Sequence, residues 1–169
     1  MMRLLGAALV AAGAAWLGFR AAGTLRLRAR ALEEMAQGLA LLEQELEWDG
    51  PPLPRLMEEL EGRCRGPARA LFRDCRRALD ELERESLSDA WAELVGARGE
   101  LGREGQAALL PLRDTLGRCG CEEQRRAAAR VRTRLEELAR RTEEEQRRQG
   151  KVYQVLGLSG GAFLIILLL

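Results

Sequence analysis

The 169-residue chain carries 27 basic and 26 acidic residues, a formal net charge of +1 and no histidine. Opposite charges alternate along the same segments, as in RRTEEEQRR, which is the pattern of solvated helix faces and excludes a nucleic-acid-binding stripe. Without histidine the commonest general base, metal ligand and proton switch is missing. No paired-acid motif or phosphate loop stands out, so the chain reads as non-enzymatic, with no cofactor, metal, small-molecule substrate or nucleic-acid partner.

The first element is an uncharged run of sixteen residues, Leu4 to Phe19, bracketed by Arg3 and Arg20. It is slightly short for a bilayer, but both arginines can snorkel to the headgroups while their stems stay in lipid. Trp16 and Phe19 suit the membrane interface. Residues 1–24 are therefore expected to form an N-terminal transmembrane helix; a cleaved signal peptide ending near Ala21-Ala22-Gly23 is the alternative, and the sequence leaves it open.

Residues 25–151 are expected to form a helical soluble domain. Leu25, Leu32, Leu39 and Leu46 recur every seven residues with Met35 and Leu42 between them, one stripe of a helix running on from the first span to about Trp48. That stripe fits an internal core or a partner-facing groove equally well. DGPPLP breaks the helix, because prolines lack an amide donor and bias the preceding residue away from helix. A short helix with Leu56, Met57 and Leu60 inward follows. Gly66-Pro67 opens a third, with Ala68, Leu71, Phe72, Cys75, Leu79 and Leu82 along one side. Ser86 or Ser88 is expected to cap a fourth helix containing Trp91, Leu94 and Val95. GARGELGREG reads as a loop or frayed helix, and Pro111 as a kink or the true start of the helix in QAALLPLRDTLGR. GRCGC is another break, and the last helix begins after Cys121 with Ala128, Val131, Leu135 and Leu138 inward.

The four cysteines, Cys64, Cys75, Cys119 and Cys121, lack zinc-site spacing and read as small buried thiols or loop residues. Val152 to Leu169 form a second uncharged run of eighteen residues, roughly 27 Å as a helix and close to the thickness of a bilayer core. Residues 152–169 are thus the expected C-terminal transmembrane helix, with Tyr153 at its interface end. Gly157 and Gly161, and Ala7, Ala11 and Ala15 in the first span, offer small-residue faces for helix pairing. Arginines flank both runs on the domain side, which places the middle domain in the cytoplasm by the positive-inside rule. The fold class is all-α, about six helices, with the first and last continuing into the spans.

The ordered set MMRLLGAALVAAGAAWLGF, LLEQELEWDGPPLPRLMEEL, ALF, DAWAEL, LRDTLGRCGCEEQ and KVYQVLGLSGGAFLIILLL resembles the stage III sporulation protein AB family. The resemblance covers essentially the whole chain. It marks Glu45, Pro52, Leu53, Trp91, Leu116, Gly117 and Gln124 as signature positions of structural character. It implies a membrane-held platform subunit of a secretion-like channel complex required for endospore formation. Its soluble domain would be similar to that of type II secretion platform proteins, and its partners would be a stage III sporulation protein AA-like ATPase and other channel subunits. The implied location is the outer forespore membrane of the sporulating mother cell. A membrane-anchored coiled-coil adaptor with no secretion role is the alternative. Where this chain has Cys121, relatives commonly place an aspartate, a better cap for the last helix.

Overall fold

The computed structural model describes the backbone of residues 2–47, 50–81 and 87–168, and the side chains of residues 23–47, 50–81 and 89–148. The described residues are all-α. Six α-helices follow in order: α1 (Met2–Glu45), α2 (Leu53–Arg63), α3 (Gly66–Glu81), α4 (Leu87–Gly96), α5 (Gly102–Leu109) and α6 (Cys121–Leu168). Two short 3-10 helices, Gly99–Leu101 and Leu110–Asp114, precede and follow α5. The chain divides into two compact units, Arg28–Arg140 and a second made of Met1–Leu27 with Arg141–Leu169.

Inside the Arg28–Arg140 unit, one apolar cluster gathers a stripe from every α-helix. Leu32, Met35, Leu39, Leu42 and Leu46 are all buried in it, together with Leu56, Met57 and Leu60, Leu71 and Phe72, Trp91 and Val95, Leu109, Val131, Leu135 and Leu138. From Leu32 onward the heptad stripe of α1 is therefore core, which settles the choice the sequence left open; Leu25, its first member, is only half-buried and outside the cluster. Full burial of a leucine or methionine stabilises by about 1.5–3 kcal/mol, so these positions dominate the domain's cohesion.

Close approach of α1 and α3 depends on Gly38. A Cβ placed there would lie 2.6 Å from the Ala68 Cβ and 3.2 Å from Phe72. Gly105 of α5 receives Leu32 in the same way, since its Cβ would stand 2.7 Å from Leu32 Cδ2.

Several sequence expectations are corrected. The first helix ends at Glu45, and residues 46–47 form a turn; Trp48 lies outside the described residues. Ser88 is already inside α4 and cannot cap it, while Ser86 lies outside the described residues. Of the two readings of GARGELGREG, loop or frayed helix, the segment is mostly helical, contributing the first 3-10 helix and the start of α5. Four glycines made it look unstructured, but Gly102 supplies the sharp turn between the two helices with φ +66°, a conformation that other residues rarely adopt. The Arg28 guanidinium covers Gly102 and donates from Nε to the Leu101 carbonyl at 3.3 Å, so long-range packing holds the segment in place.

Pro111 opens the second 3-10 helix, where its missing amide costs nothing, and so avoids the penalty of a mid-helix proline. The last helix starts at Cys121 itself. Gly120 occupies the cap position, its carbonyl accepting from the Glu123 and Gln124 amides at 3.0 and 3.1 Å. The spans expected over residues 1–24 and 152–169, with Ala7, Ala11, Ala15, Trp16, Tyr153, Gly157 and Gly161, fall on residues whose side chains lie outside the description. Among the described residues no helix is long and apolar enough to cross a membrane.

Candidate functional site

The seven signature positions all sit at chain reversals or in the core. Glu45, at the end of α1, accepts from Arg63 Nη1 at the end of α2, and Gln44 Oε1 receives Arg63 Nη2 at 3.4 Å. Arg63 is close to half exposed, so this pair contributes at most about 1 kcal/mol; it sets the angle of the turn more than its strength. Pro52 stands at the N-cap of α2 with φ −50°, and Leu53 packs against the core. This turn meets the start of α6, since a Cβ on Gly50 would lie 3.3 Å from Cys121 Sγ.

The second cluster closes the loop before α6. Gln124 is the buried polar side chain here. Its Nε2 donates to the Cys119 carbonyl at 2.7 Å, and its Oε1 accepts from the Gly117 amide at 3.5 Å. Gly117 has φ +73°, and Leu116 beside it is fully buried. One glutamine thus satisfies a donor and an acceptor that the chain reversal would leave unpaired. Gln124→Ala should lower stability by about 1–3 kcal/mol in urea titration. Gln124→Glu keeps the acceptor but loses the donor and should recover little. Equal stability of both variants to wild type would remove this role.

Trp91 is fully buried and donates from Nε1 to the Leu109 carbonyl at 3.0 Å, tying α4 to the junction of α5 and the second 3-10 helix.

Other polar ties were not visible in the sequence. Arg132 of α6 reaches Glu43 of α1 and Glu136 of its own helix, both at 2.7 Å. Arg98, only 14% exposed, pairs with Asp74 of α3, and Gln106 Nε2 holds the Gly96 and Arg98 carbonyls at 3.0 and 3.1 Å. The Arg132–Glu43 and Arg98–Asp74 pairs join residues far apart in sequence, and no local spacing announces them.

Cys64 and Cys75 are buried, Cys119 and Cys121 half-buried, and all four are free thiols. Burial pushes the Cys64 thiol up to about 11 and the Cys75 thiol to about 12. Burial and the neighbouring Glu123 carboxylate raise Cys119 as well. Cys64, Cys75 and Cys119 are thus not poised nucleophiles, because thiolate is the reactive form. The raised values favour the protonated thiol in the folded chain. Their contribution to stability is complete below pH 9 and is lost as pH rises through 11 and 12. Alkaline titration monitored by circular dichroism should show unfolding brought forward above pH 9, and a Cys64→Ala/Cys75→Ala variant should lose that alkaline component. Among the described residues no group of three or more His, Cys, Asp or Glu side chains could hold a metal ion.

The arrangement is that of a helical scaffold whose signature residues fix two touching turns and a tryptophan-locked core. Known proteins agree with it. Stage III sporulation protein AB of Bacillus subtilis (strain 168) is 26% identical over 172 residues that take in the whole of both chains. A solved structure of a stage III sporulation protein AB matches with a TM-score of 0.62 at 21% identity, over 72% of this chain and 98% of that one; that likeness concerns the fold. The family model described as stage III sporulation protein AB matches residues 3–169. On that match the chain belongs to the stage III sporulation protein AB family, a family of sporulation proteins.

Proposed function

We propose that this sporulation protein is a non-enzymatic assembly subunit held at a membrane by its two uncharged ends. Its helical domain serves as the platform on which a secretion-type ATPase and the other subunits of a channel-like complex meet. The observation that carries the reading is the match over residues 3–169, which embraces both uncharged runs, Leu4–Phe19 and Val152–Leu169. Two features of the Arg28–Arg140 unit agree with a docking role. Its core is filled by its own helices, and its signature side chains serve turns and packing.

In this reading the arginines beside both runs keep the domain in the mother-cell cytoplasm, where an ATPase of the stage III sporulation protein AA type would be reached. Deleting the gene in its host should abolish heat-resistant spores while vegetative growth continues; normal spore counts would sink the proposal. The membrane part is tested separately. The full chain should stay in the membrane pellet after an alkaline carbonate wash, and removing residues 152–169 should release a large fraction of it.

A further inference from the structure

Helix α3 carries arginines at every fourth position, Arg69, Arg73 and Arg77, with Arg65 one step before. The Arg69 amide donates to the Arg65 carbonyl at 3.3 Å, so Arg65 stands at the N-cap of α3, just before Gly66 with its φ of +53°. Residues four apart share one face of a helix, so Arg69, Arg73 and Arg77 form a row of roughly 12 Å with Arg65 standing at its N-terminal end. Arg65, Arg69 and Arg77 are exposed, and their guanidinium groups make no ion pair or hydrogen bond among the described residues.

The neighbouring chemistry explains this for Arg65 and Arg69, while Glu81, four after Arg77 and exposed, is not drawn into a pair among the described residues. The positions three and four away from Arg65 and Arg69 on the helix offer glycine, alanine, phenylalanine or another arginine. Asp74, three before Arg77, is engaged by Arg98 and by Arg73 at 3.3 Å. Asp80 is engaged by Arg76 at 3.6 Å, and Arg76 also holds Glu61 at 3.0 Å.

A second row of the same spacing, Arg126, Arg130 and Arg134 on α6, is paired at two of its three positions, Arg130 having no ion pair or hydrogen bond among the described residues. Arg126 pairs with Glu122 at 2.8 Å and Arg134 with Glu137 at 2.9 Å. The α3 row works against its own helix twice. Like charges four apart repel, and Arg65 and Arg69 stand at the N-terminal end, where the helix dipole disfavours cations. Glu34 of α1 lies against Gly66 and offsets this in part. A local arrangement that opposes folding marks a site kept for something other than folding.

We propose that the ridge Arg65, Arg69, Arg73 and Arg77 docks an acidic α-helix of a partner protein, one bearing Asp or Glu at every fourth position. A helix of that kind repeats its carboxylates at the same pitch, and guanidinium groups match carboxylates in paired hydrogen bonds. The ridge is narrow: Glu61, Asp80 and Glu81 border it near Arg76 and Arg77. A broad anionic surface such as a lipid sheet or a nucleic-acid duplex would press against those acids, whereas a single helix lies between them. The inference stands on α3 alone and does not depend on the platform reading.

The test uses the full chain in neutral detergent and a fluorescently labelled, end-capped alanine-based peptide with glutamate at every fourth position. Binding read by anisotropy should weaken steeply with salt. It should fall roughly tenfold or more in Arg65→Gln/Arg69→Gln/Arg77→Gln, since each lost exposed pair accounts for a few-fold. Arg73 is left intact because it touches Asp74. The Arg126→Gln/Arg130→Gln/Arg134→Gln variant should bind like wild type, and circular dichroism checks that both variants are folded. Equal binding by wild type and the α3 variant would overturn the proposal. So would equal binding of a peptide of the same composition with its glutamates clustered at one end. Tighter binding of short-chain phosphatidylglycerol that displaces the peptide would assign the ridge to lipid instead. Self-association of wild type that the α3 variant loses in sedimentation would assign it to a second copy. Either result refutes the acidic helix.

Discussion

Replacing Trp91 with alanine should destabilise the domain by about 3–5 kcal/mol, the usual range for removing a large aromatic from a closed core. Trp91 is fully buried among residues of α3, α4 and α5, and its indole satisfies the Leu109 carbonyl. The variant therefore suffers twice, from the cavity and from a carbonyl left without its donor. Domains of this size hold about 5–15 kcal/mol in total, so the variant should sit near the edge of folding. Urea titration of the full chain in mild detergent, followed by far-ultraviolet circular dichroism, measures the loss. Trp91→Phe fills most of the space without the donor and should fall between the two. A loss below 1 kcal/mol for the alanine variant would mean that Trp91 is not a keystone of the core.

Gly38→Val should be the second large effect, about 3 kcal/mol, at the upper end of overpacking costs. The atom it meets, Ala68 Cβ at 2.6 Å, is fixed to its backbone and cannot swing aside. Whole helices must move apart, and the packing of Leu39, Leu71 and Phe72 goes with them. Helix propensity alone predicts the opposite sign, since glycine is among the poorest helix formers. Ala68→Gly supplies the check. Alone it should only destabilise, yet added to Gly38→Val it should recover part of the loss, a coupling that independent sites do not show. Strict additivity would mean that the two helices do not touch there.

These effects indicate what could be read in advance. The stripe Leu32, Met35, Leu39, Leu42 and Leu46 and the set Ala128, Val131, Leu135 and Leu138 were legible, because burial imposes a helical period on the residue types themselves. The prolines of DGPPLP and the Gly66-Pro67 pair punctuated the chain as expected. GARGELGREG stayed open because glycine answers to two demands. Gly102 provides a backbone conformation, whereas Gly105 provides room for Leu32, and composition cannot tell these from a loop. Gly120 at the cap of α6 and the Gln124 tie were equally hidden, since both become visible only when Cys119 and Gly117 are brought beside the helix. The signature positions were found as a pattern, but their physical work needed the coordinates. The α3 row was present in the letters, but that Arg65, Arg69 and Arg77 stay unpaired among the described residues needed the coordinates.

The core draws on the later half of α1 and the earlier half of α6, with Arg132 and Glu43 bridging the two. During synthesis, the earlier helices therefore emerge with Leu32, Leu39 and their neighbours uncovered until residues 121–140 have left the ribosome. Closing that long circuit is slow compared with local helix formation. A nascent chain halted at residue 120 should be readily digested by protease, whereas one extended past residue 140 and clear of the exit tunnel should resist it. Folding of the domain is thus timed by its last helix.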